Sequence, residues 1–379
     1  MRKAFPLLSF LLAVCMLSCT GGRSADMELA EAYTPTEAKG FVIDSVAGGR
    51  STMITVRNPW QGADSVVTSL FIARDGASAP DGYDGQVLNG EARRIVAMSS
   101  TQVAMLDAIG EIDRVVGVSG ADFISNSHIS NGEVKVADVG FDGNVNYELL
   151  VSLSPDLVLL YGVNGASTME GKLRELGIPY MYVGDYLEES PLGKAEWMVA
   201  IAETVGKRDV AATAYAAIAD RYNTLRDLVK GTPAEGRPKA MLNLPYGDSW
   251  FMPPTESYLP RLISDAGGDY IYKEYNGSSS VPIDMEKAYM LASQADVWLN
   301  TGSCRSLAEL KSAVPKFANV PAVRDARVFN NINRTTPKGG NDFFEGAVVN
   351  PDLVLRDLIK IFNPQLLNDQ PFVYFMTLR

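Results

Sequence analysis

The chain has 379 residues, a net charge of −11, three cysteines and one histidine. Its 46% hydrophobic and 21% charged residues indicate a folded chain of about two domains rather than a disordered one. The acidic net charge excludes nucleic acid as an expected partner, because phosphate-binding surfaces must be basic. A single histidine excludes metal sites built from several imidazoles.

Residues 1–18 predict a lipoprotein signal peptide. Two basic residues precede an apolar stretch over residues 5–17, which is too short to span a membrane comfortably. The stretch runs into Cys19 through small residues, in a pattern that resembles a bacterial lipobox, so we expect Cys19 to be lipidated. A plain signal peptide that happens to carry cysteines is the alternative. The mature protein is then expected in the cell envelope, lipid-anchored on the periplasmic side, with residues 19–40 as a flexible tether.

Residues 41–92 predict a small N-terminal β segment and a linker. Phe41–Val46 and Met53–Val56 are rich in β-branched residues and flank a Gly-Gly pair, which is the pattern of a hairpin. A third strand is predicted over residues 65–73. Residues 74–92 are rich in Gly, Pro and Asp and predict a linking loop.

Strands that alternate with helices predict a parallel sheet in residues 93–190, and residues 232–379 repeat the same order. When Asp156 is aligned with Asp296, the residue types on both sides agree, which predicts two similar lobes. Shared composition of strand–helix units is the alternative explanation. The expected strands of the first lobe cover residues 95–98, 115–118, 157–161 and 179–183.

Residues 191–231 are predicted to bridge the lobes with helices. Residues 209–230 contain neither Gly nor Pro, and a helix of this length spans about 33 Å. Such a helix restrains the relative rotation of two lobes far more than a loop would. The predicted fold is therefore α/β, with two Rossmann-like lobes joined by one long rigid helix and a small N-terminal β segment.

Groups for catalysis are scarce in the sequence. It contains no GxSxG elbow, no GxxxxGK[ST] phosphate loop and no GxGxxG after a strand. His128 lies in a polar loop and is expected at the surface, with a ligand to a metal or haem iron as the alternative. Cys304 would need a histidine from the other lobe to act as a nucleophile. We therefore expect a protein that is not an enzyme and has no intrinsic cofactor or metal.

Polar and aromatic side chains follow the predicted strands of both lobes. Ligands of open α/β sheets bind at the carboxyl ends of strands, so these clusters predict a cleft between the lobes. Capping and turn formation explain each cluster taken alone, and the prediction rests on the whole set. The candidate ligand-binding residues are Ser99, Ser100, Thr101, Gln102, Phe123, Tyr161, Tyr186, Tyr246, Trp250, Arg305 and Arg334.

Motifs spread over residues 93–364 share their order and spacing with a known family. The most recognisable of these motifs extends from Asn146-Tyr147-Glu148 to Leu157-Val158-Leu159, and residues 94–118 supply a second motif. Looser matches follow at residues 262–268, 320–329 and 350–359. Together they resemble the ABC-importer binding proteins for ferric siderophores, haem and cobalamin. The N-terminal β segment lies outside the resemblance.

The resemblance implies a monomeric lipoprotein that binds a metal chelate between two lobes and delivers it to the permease and ATPase of an ABC importer. It also implies that one glutamate on each lobe docks onto the permease, and by motif position these are Glu148 and Glu256. A favourable charge in the first turn of a helix is the alternative role for Glu148. Related zinc- and manganese-binding proteins use several histidines, and the single histidine of this chain speaks against them.

A ferric siderophore or haem is the expected ligand, with cobalamin as the alternative. Anionic siderophores would favour Arg305, Arg334 and Lys338 in the cleft, whereas cobalamin or haem would use the candidate Tyr and Trp residues. A cell-envelope α/β enzyme or scaffold of the same fold is a hypothesis from a different class. It predicts turnover or partner binding that survives loss of the cleft aromatics.

Overall fold

The computed structural model describes residues 28–46, 48–231, 233, 235–277, 279–367 and 370–379. The predicted signal peptide, Cys19 and the first part of the predicted tether lie outside these residues. Within the described ranges, no helix is both long enough and apolar enough to span a membrane.

A five-stranded sheet, here called the β module (residues 29–92), opens the described chain. Its strands are β1 (Leu29–Tyr33), β2 (Phe41–Val46), β3 (Thr52–Arg57), β4 (Val67–Ala73) and β5 (Gln86–Asn89). Neighbouring strands lie in chain order and pair antiparallel, except that β4 and β5 run parallel. Alternation buries Phe41 and Ile43 of β2 against the apolar face of β3, which confirms the predicted hairpin.

The β module is more extensive than predicted, because β1 falls within the predicted tether 19–40 and β5 within the predicted linking loop. The flexible-tether prediction is wrong for the residues from β1 onwards, since two buried carboxylates, one before α5 and one on α5, hold this polar segment. Glu196 accepts hydrogen bonds of 2.8 Å from the backbone N–H groups of residues 36–38. Glu188 accepts bonds of 3.0 Å from those of residues 39–40.

The N-terminal lobe contains a five-stranded parallel sheet with the strand order β10-β9-β6-β7-β8. All of its strands except the edge strand β8 are largely buried on both faces, as a sheet covered by helices on each side requires. The strands are β6 (Ile95–Ala97), β7 (Val115–Val118), β8 (Ala137–Asp138), β9 (Leu157–Leu160) and β10 (Tyr180–Tyr182). The helices are α1 (Ser100–Ala108), α2 (Ser127–Ser130), α3 (Tyr147–Ser152) and α4 (Glu170–Leu176).

Two helices, α5 (Pro191–Thr204) and α6 (Arg208–Val229), lead from this lobe to the next. The C-terminal lobe has the strand order β13-β11-β15-β16-β17, with β17 antiparallel to its neighbour, and a separate two-stranded antiparallel sheet of β12 and β14. Its strands are β11 (Lys239–Leu242), β12 (Trp250–Met252), β13 (Asp269–Tyr270), β14 (Val281–Ile283), β15 (Val297–Leu299), β16 (Val328–Asn330) and β17 (Met376–Thr377). Its helices are α7 (Tyr258–Asp265), α8 (Met285–Ala292), α9 (Leu307–Ala313), α10 (Pro321–Arg324) and α11 (Pro351–Phe362).

The 22-residue helix α6 contacts α5, the C-terminal lobe and the segment before β2, and it confirms the predicted bridge. The Tyr222 hydroxyl donates to Asp265 of α7 at 2.8 Å, and Arg221 pairs with Asp352 of α11 at 2.6 Å. At its other end, the Tyr215 hydroxyl lies 3.4 Å from the hydroxyl of Thr36. Helix α5 is buried along nearly its whole length between the lobes and α6, so the bridge is a helix pair rather than a single helix.

The two aspartates that suggested similar lobes occupy equivalent positions. The Asp156 carboxylate accepts the Arg94 N–H at 2.9 Å, immediately before β6. The Asp296 carboxylate accepts the Lys239 N–H at 2.8 Å, at the first residue of β11. Each aspartate thus ties the start of one strand to the start of the neighbouring strand in its own sheet. The alignment of the two lobes at this unit is confirmed.

Candidate ligand-binding cleft

A cavity of about 620 Å³ lies on the C-terminal lobe, at the carboxyl ends of β11, β15 and β16, and faces helix α5. Helix α5, the start of α7 and the segment around residue 344 complete its walls. The described lining residues are Lys194, Asn243, Leu244, Pro245, Tyr246, Tyr258, Leu259, Asn300, Gly302, Asn331, Ile332, Asn341, Phe343, Phe344 and Val348. Aromatic, aliphatic and amide side chains dominate this set, which suits a flat ligand with an uncharged polar edge.

Two exposed aromatic side chains present the apolar surface of the cleft. Tyr246 is 83% exposed and Phe344 is 61% exposed, whereas large aromatic side chains are usually mostly buried. Phe343 packs edge-to-face on Phe344 with ring centroids 5.3 Å apart and limits the directions in which that ring can turn. Exposed aromatic rings in a concave site are poised to cover an apolar ligand surface.

The first turn of α1 joins the N-terminal lobe to the edge of the cleft. The Ser100 hydroxyl donates to the Phe344 carbonyl at 3.4 Å, which joins the two lobes at the cleft edge. The next hydroxyl, on Thr101, donates to buried Asp185 at 3.4 Å. Asp185 lies 3.8 Å from the Lys194 ammonium. Burial raises the pKa of the Asp185 carboxyl, and the Lys194 charge opposes that rise.

Lys194 is the only charged side chain among the described residues that line the cleft. Its ammonium also lies over the Tyr258 ring, 5.2 Å from the centroid. Because Asp185 stands close behind it, the site as a whole carries little net positive charge. A strongly anionic ligand would find little compensation there.

Two of the predicted ligand residues lie in the core, and their prediction is wrong. Gln102 is 0% exposed. Its side-chain oxygen accepts the Ser99 N–H, as the second member of a capping box, and its side-chain N–H donates to the Leu160 carbonyl. Trp250 is 0% exposed, donates its indole N–H to the Leu242 carbonyl, and packs against the Trp298 ring. The pairing of β12 with β14 turns this indole inward, which the order of residues does not reveal.

The predicted cationic residues lie outside the described cleft lining. Arg334 pairs with Asp342 at 2.7 Å, and Arg305 donates to the Thr335 hydroxyl at 2.9 Å. Lys338 pairs with Asp122 at 2.6 Å across the two lobes. Each of these groups has a partner on the protein, and their expected role toward an anionic chelate stays a prediction.

The remaining candidates are divided between the cleft and other surfaces. Tyr246 lines the cleft, whereas Ser100 reaches its edge through the Phe344 carbonyl. Thr101 bonds to Asp185, and Ser99 caps α1. Phe123 is exposed beside Phe141, with ring centroids 6.4 Å apart, at the rim of the N-terminal lobe. The other two tyrosines are half-buried at strand ends outside the cleft lining. They are Tyr161, which follows β9, and Tyr186, whose hydroxyl bonds to the Gly162 carbonyl and the Gln61 N–H.

A second cavity, of about 560 Å³, lies between the lobes against α6. At its wall the buried Glu345 carboxylate accepts the Ser125 and Asn126 N–H groups of the other lobe, at 2.6 and 2.7 Å. Asp342 and Arg334 stand beside it. Because Glu345 directly follows Phe344, this interlobe contact is one residue away from the cleft. Sequence reasoning missed Glu345, along with Lys194, Phe344 and the cleft asparagines.

Glu345 is expected to give the fold a measurable pH dependence. Burial raises the pKa of its carboxyl to about 7, and the adjacent charge of Asp342 also raises it. The hydrogen bonds from residues 125 and 126 act in the opposite direction and lower this pKa. This pKa lies above that of the same carboxyl in the unfolded chain. The protonated carboxyl therefore stabilises the folded state fully at low pH, and this stabilisation is lost as the pH rises toward 7. Between about pH 5 and pH 8, wild type should lose up to about 3 kcal/mol of unfolding free energy relative to Glu345→Gln, which cannot titrate. Urea unfolding over this range measures the difference, and parallel curves would contradict it.

The single histidine and the free cysteine lie apart from the cleft. His128 is exposed, with its Nδ1 2.7 Å from Glu133 and its Nε2 3.9 Å from Asp107. Cys304 is buried, and desolvation raises the pKa of its thiol. In the part of the chain that the structure describes, no group of three or more His, Cys, Asp or Glu side chains is arranged to hold a metal ion.

Comparison with known proteins connects this architecture to a family. Residues 95–331 match the sequence profile of the periplasmic binding proteins. An uncharacterized lipoprotein of Methanocaldococcus jannaschii is 28% identical over 306 residues, which cover 78% of this chain and 71% of that protein. A cobalamin-binding protein of Halobacterium salinarum is 26% identical over 262 residues, which cover 66% of this chain and 67% of that protein.

Among solved structures, a periplasmic heme-binding protein from Pseudomonas aeruginosa has the same fold. The match has a TM-score of 0.56 at 17% identity and covers 72% of this chain and 93% of that chain. It supports the predicted arrangement of two α/β lobes with a helical bridge. The β module precedes the residues that match the family profile.

Proposed function

The chain belongs to the periplasmic binding protein family, and we propose that it captures a metal chelate between its lobes and delivers it to the permease of an ABC importer. The observation that carries this proposal is the 620 Å³ cavity at the strand ends, with its exposed aromatic rings and amide side chains. Its described lining contains no Cys, His, Asp or Glu side chain, so it offers binding surface rather than a nucleophile and a base.

The cleft chemistry favours a corrinoid of the cobalamin type over the expected ferric siderophore or haem. Catecholate and carboxylate siderophores and haem carry negative charge, whereas the sole described lining cation, Lys194, is partly compensated by Asp185. A corrin ring offers a flat apolar face for Tyr246 and Phe344 and uncharged carboxamides for the surrounding amides. The Halobacterium relative that is named as cobalamin-binding supports the same choice.

A thermal-stability panel tests the ligand class. Cyanocobalamin should stabilise the mature protein by about 2.7 kcal/mol at one hundred times its dissociation constant, while haemin, ferric citrate and a ferric catecholate at the same concentration should not. Tyr246→Ala with Phe344→Ala should remove the effect, because these rings supply the exposed apolar walls. Tyr289→Ala, which removes an exposed ring on α8, is the matched control. Stabilisation by haemin alone would overturn the choice of a corrinoid as the ligand. If none of the chelates stabilised the protein, the proposed capture of a chelate would be overturned.

Two exposed glutamates support delivery to a permease. Glu148 lies in the first turn of α3, and Glu256 lies two residues before α7, so that each lobe carries one. Neither forms an ion pair with any described residue, which leaves both free to meet cations on a partner. The rigid α5–α6 bridge would hold them at a set separation. The partner surface is thus proposed to recognise both lobes together.

The β module is proposed to lie between the two lobes and the membrane. Cys19, the predicted lipid site, precedes β1 by ten residues, which can reach at most about 35 Å. Lipidation would therefore keep the β module close to the bilayer on the periplasmic side. Lys39 of this module has a raised pKa, chiefly from its bond to Glu189 and with a smaller contribution from Glu256. The module thus borders one of the two docking carboxylates.

A further inference from the structure

Two asparagine side chains in the cleft have buried polar atoms without a hydrogen-bond partner among the described residues. Asn331 is only 4% exposed, and its Nδ2 donates to no acceptor. The Oδ1 of Asn300 is buried and accepts from no donor. Both residues line the 620 Å³ cavity. Buried polar groups in folded proteins are almost always paired, so two orphans in one cavity indicate a ligand that completes them.

The strand register places the two asparagines at neighbouring strand ends, with Asn300 level with Asn330 and Asn331 one residue further on. In the parallel pair of β15 and β16, Leu299 lies opposite Phe329, so Asn300 and Asn331 follow at neighbouring strand ends. The backbone of Asn300 has φ +60°, and its N–H donates to the Phe329 carbonyl at 3.1 Å. A left-handed backbone costs a residue other than glycine about 1 kcal/mol or more, and such residues cluster at ligand-binding sites.

The neighbouring asparagine holds Asn331 in place. Asn330 donates its side-chain N–H groups to the carbonyls of Gly302 and Cys304, at 2.9 and 2.8 Å. Its Oδ1 accepts the backbone N–H of Asn331 at 3.0 Å. Asn330 is therefore fully used by the protein, whereas the side chains of Asn300 and Asn331 are left for a ligand. The pair is pre-organised before any ligand arrives.

We infer that Asn300 and Asn331 select the ligand by a peripheral carboxamide; this rests on the proposed capture of a chelate. A carboxamide has a carbonyl oxygen for the Asn331 donor and N–H groups for the Asn300 acceptor. A carboxylate or an ester would satisfy only the donor and would leave the Asn300 oxygen facing another oxygen. A site with committed buried polar groups rejects analogues that leave one of them unpaired.

Two matched corrinoids test the inference by equilibrium titration of the mature protein. Dicyanocobinamide carries peripheral amides, whereas dicyanocobyrinic acid heptamethyl ester is also uncharged at its edge but has no N–H to donate. Wild type should bind the amide corrinoid at least about tenfold more tightly than the ester. Asn300→Gly keeps the left-handed backbone and removes the acceptor, so it should reduce this preference to about threefold or less.

Asn331→Leu removes the donor that both corrinoids use, so it should weaken both by about tenfold and leave their ratio unchanged. Asn131→Leu, an exposed position away from the cleft, should change neither. If wild type binds both corrinoids equally, or if Asn300→Gly keeps the full preference, the inference is overturned while chelate capture stands. If wild type binds neither corrinoid, the proposed ligand class itself is overturned. Should Asn331→Leu fail to fold, wild type and Asn300→Gly still decide.

Discussion

Replacing both Glu148 and Glu256 by arginine should reduce chelate uptake by about 100-fold or more and leave chelate affinity within about twofold. Both carboxylates are exposed, lie outside the described cleft lining and form no ion pair with described residues, so their loss leaves the ligand site intact. On a permease, each reversed charge would face the cations that it formerly met, and two such reversals would compound. Uptake of labelled ligand by cells that carry the cognate importer measures the first effect, and titration of purified protein measures the second.

A matched double variant separates docking from a general change in charge. Asp113→Arg with Glu286→Arg alters one exposed carboxylate on each lobe by the same charge, at positions without a proposed role. This control should transport normally. If the Glu148 and Glu256 variant transports as well as the control, the docking assignment is wrong. If its chelate affinity falls together with its uptake, the two glutamates act through the fold rather than through a partner.

Glu196→Ala should lower the free energy of unfolding by about 3–5 kcal/mol. The Glu196 carboxylate is 0% exposed, and it accepts three backbone N–H groups of residues 36–38 as well as the hydroxyls of Tyr33 and Thr36. Alanine would leave these donors unpaired at the junction between the β module and α5. Urea unfolding measures the loss. Limited proteolysis should show faster cleavage between β1 and β2, because that segment loses its main attachment.

Glu189→Ala supplies the matched control for this junction. Glu189 pairs with Lys39 of the same segment at 2.9 Å, but both side chains are exposed, so its removal should cost no more than about 1 kcal/mol. A change below about 1 kcal/mol for Glu196→Ala would contradict the view that buried carboxylates fasten the β module. Unchanged proteolysis with a large loss of stability would locate the damage within α5 instead.

Local signals in the sequence predicted much of the fold. Strand–helix alternation, the Gly-Gly hairpin and the long Ala-rich segment without Gly or Pro correspond to the β module, the lobes and α6. The Ser99 to Gln102 cluster shows the limit of such signals, because a capping box and a ligand-binding loop use the same residue types. Of the candidate ligand residues, those nearest the cleft follow strands or begin α1, as the rule for open α/β sheets predicts.

Long-range partners account for what the sequence could not predict. The polar segment of residues 36–40 is ordered by Glu188 and Glu196, which lie about 150 positions further along the chain. Trp250 faces the core from β12, which pairs with the distant β14, and Arg334 pairs with Asp342. Lys194 and Glu345 gain their roles from elements that meet only in the folded protein. No local pattern distinguishes them from the many solvated charges of this chain.

Co-elution of cyanocobalamin with the mature protein in size-exclusion chromatography tests the central claim most directly. Wild type should carry the visible absorbance of the corrinoid through the column at one equivalent per chain. Phe344→Arg with Tyr246→Ala, which adds bulk and charge to the cleft and removes a wall, should elute colourless at the same volume. A wild-type peak without corrinoid, or a variant that carries as much as wild type, would contradict capture in the cleft between the lobes.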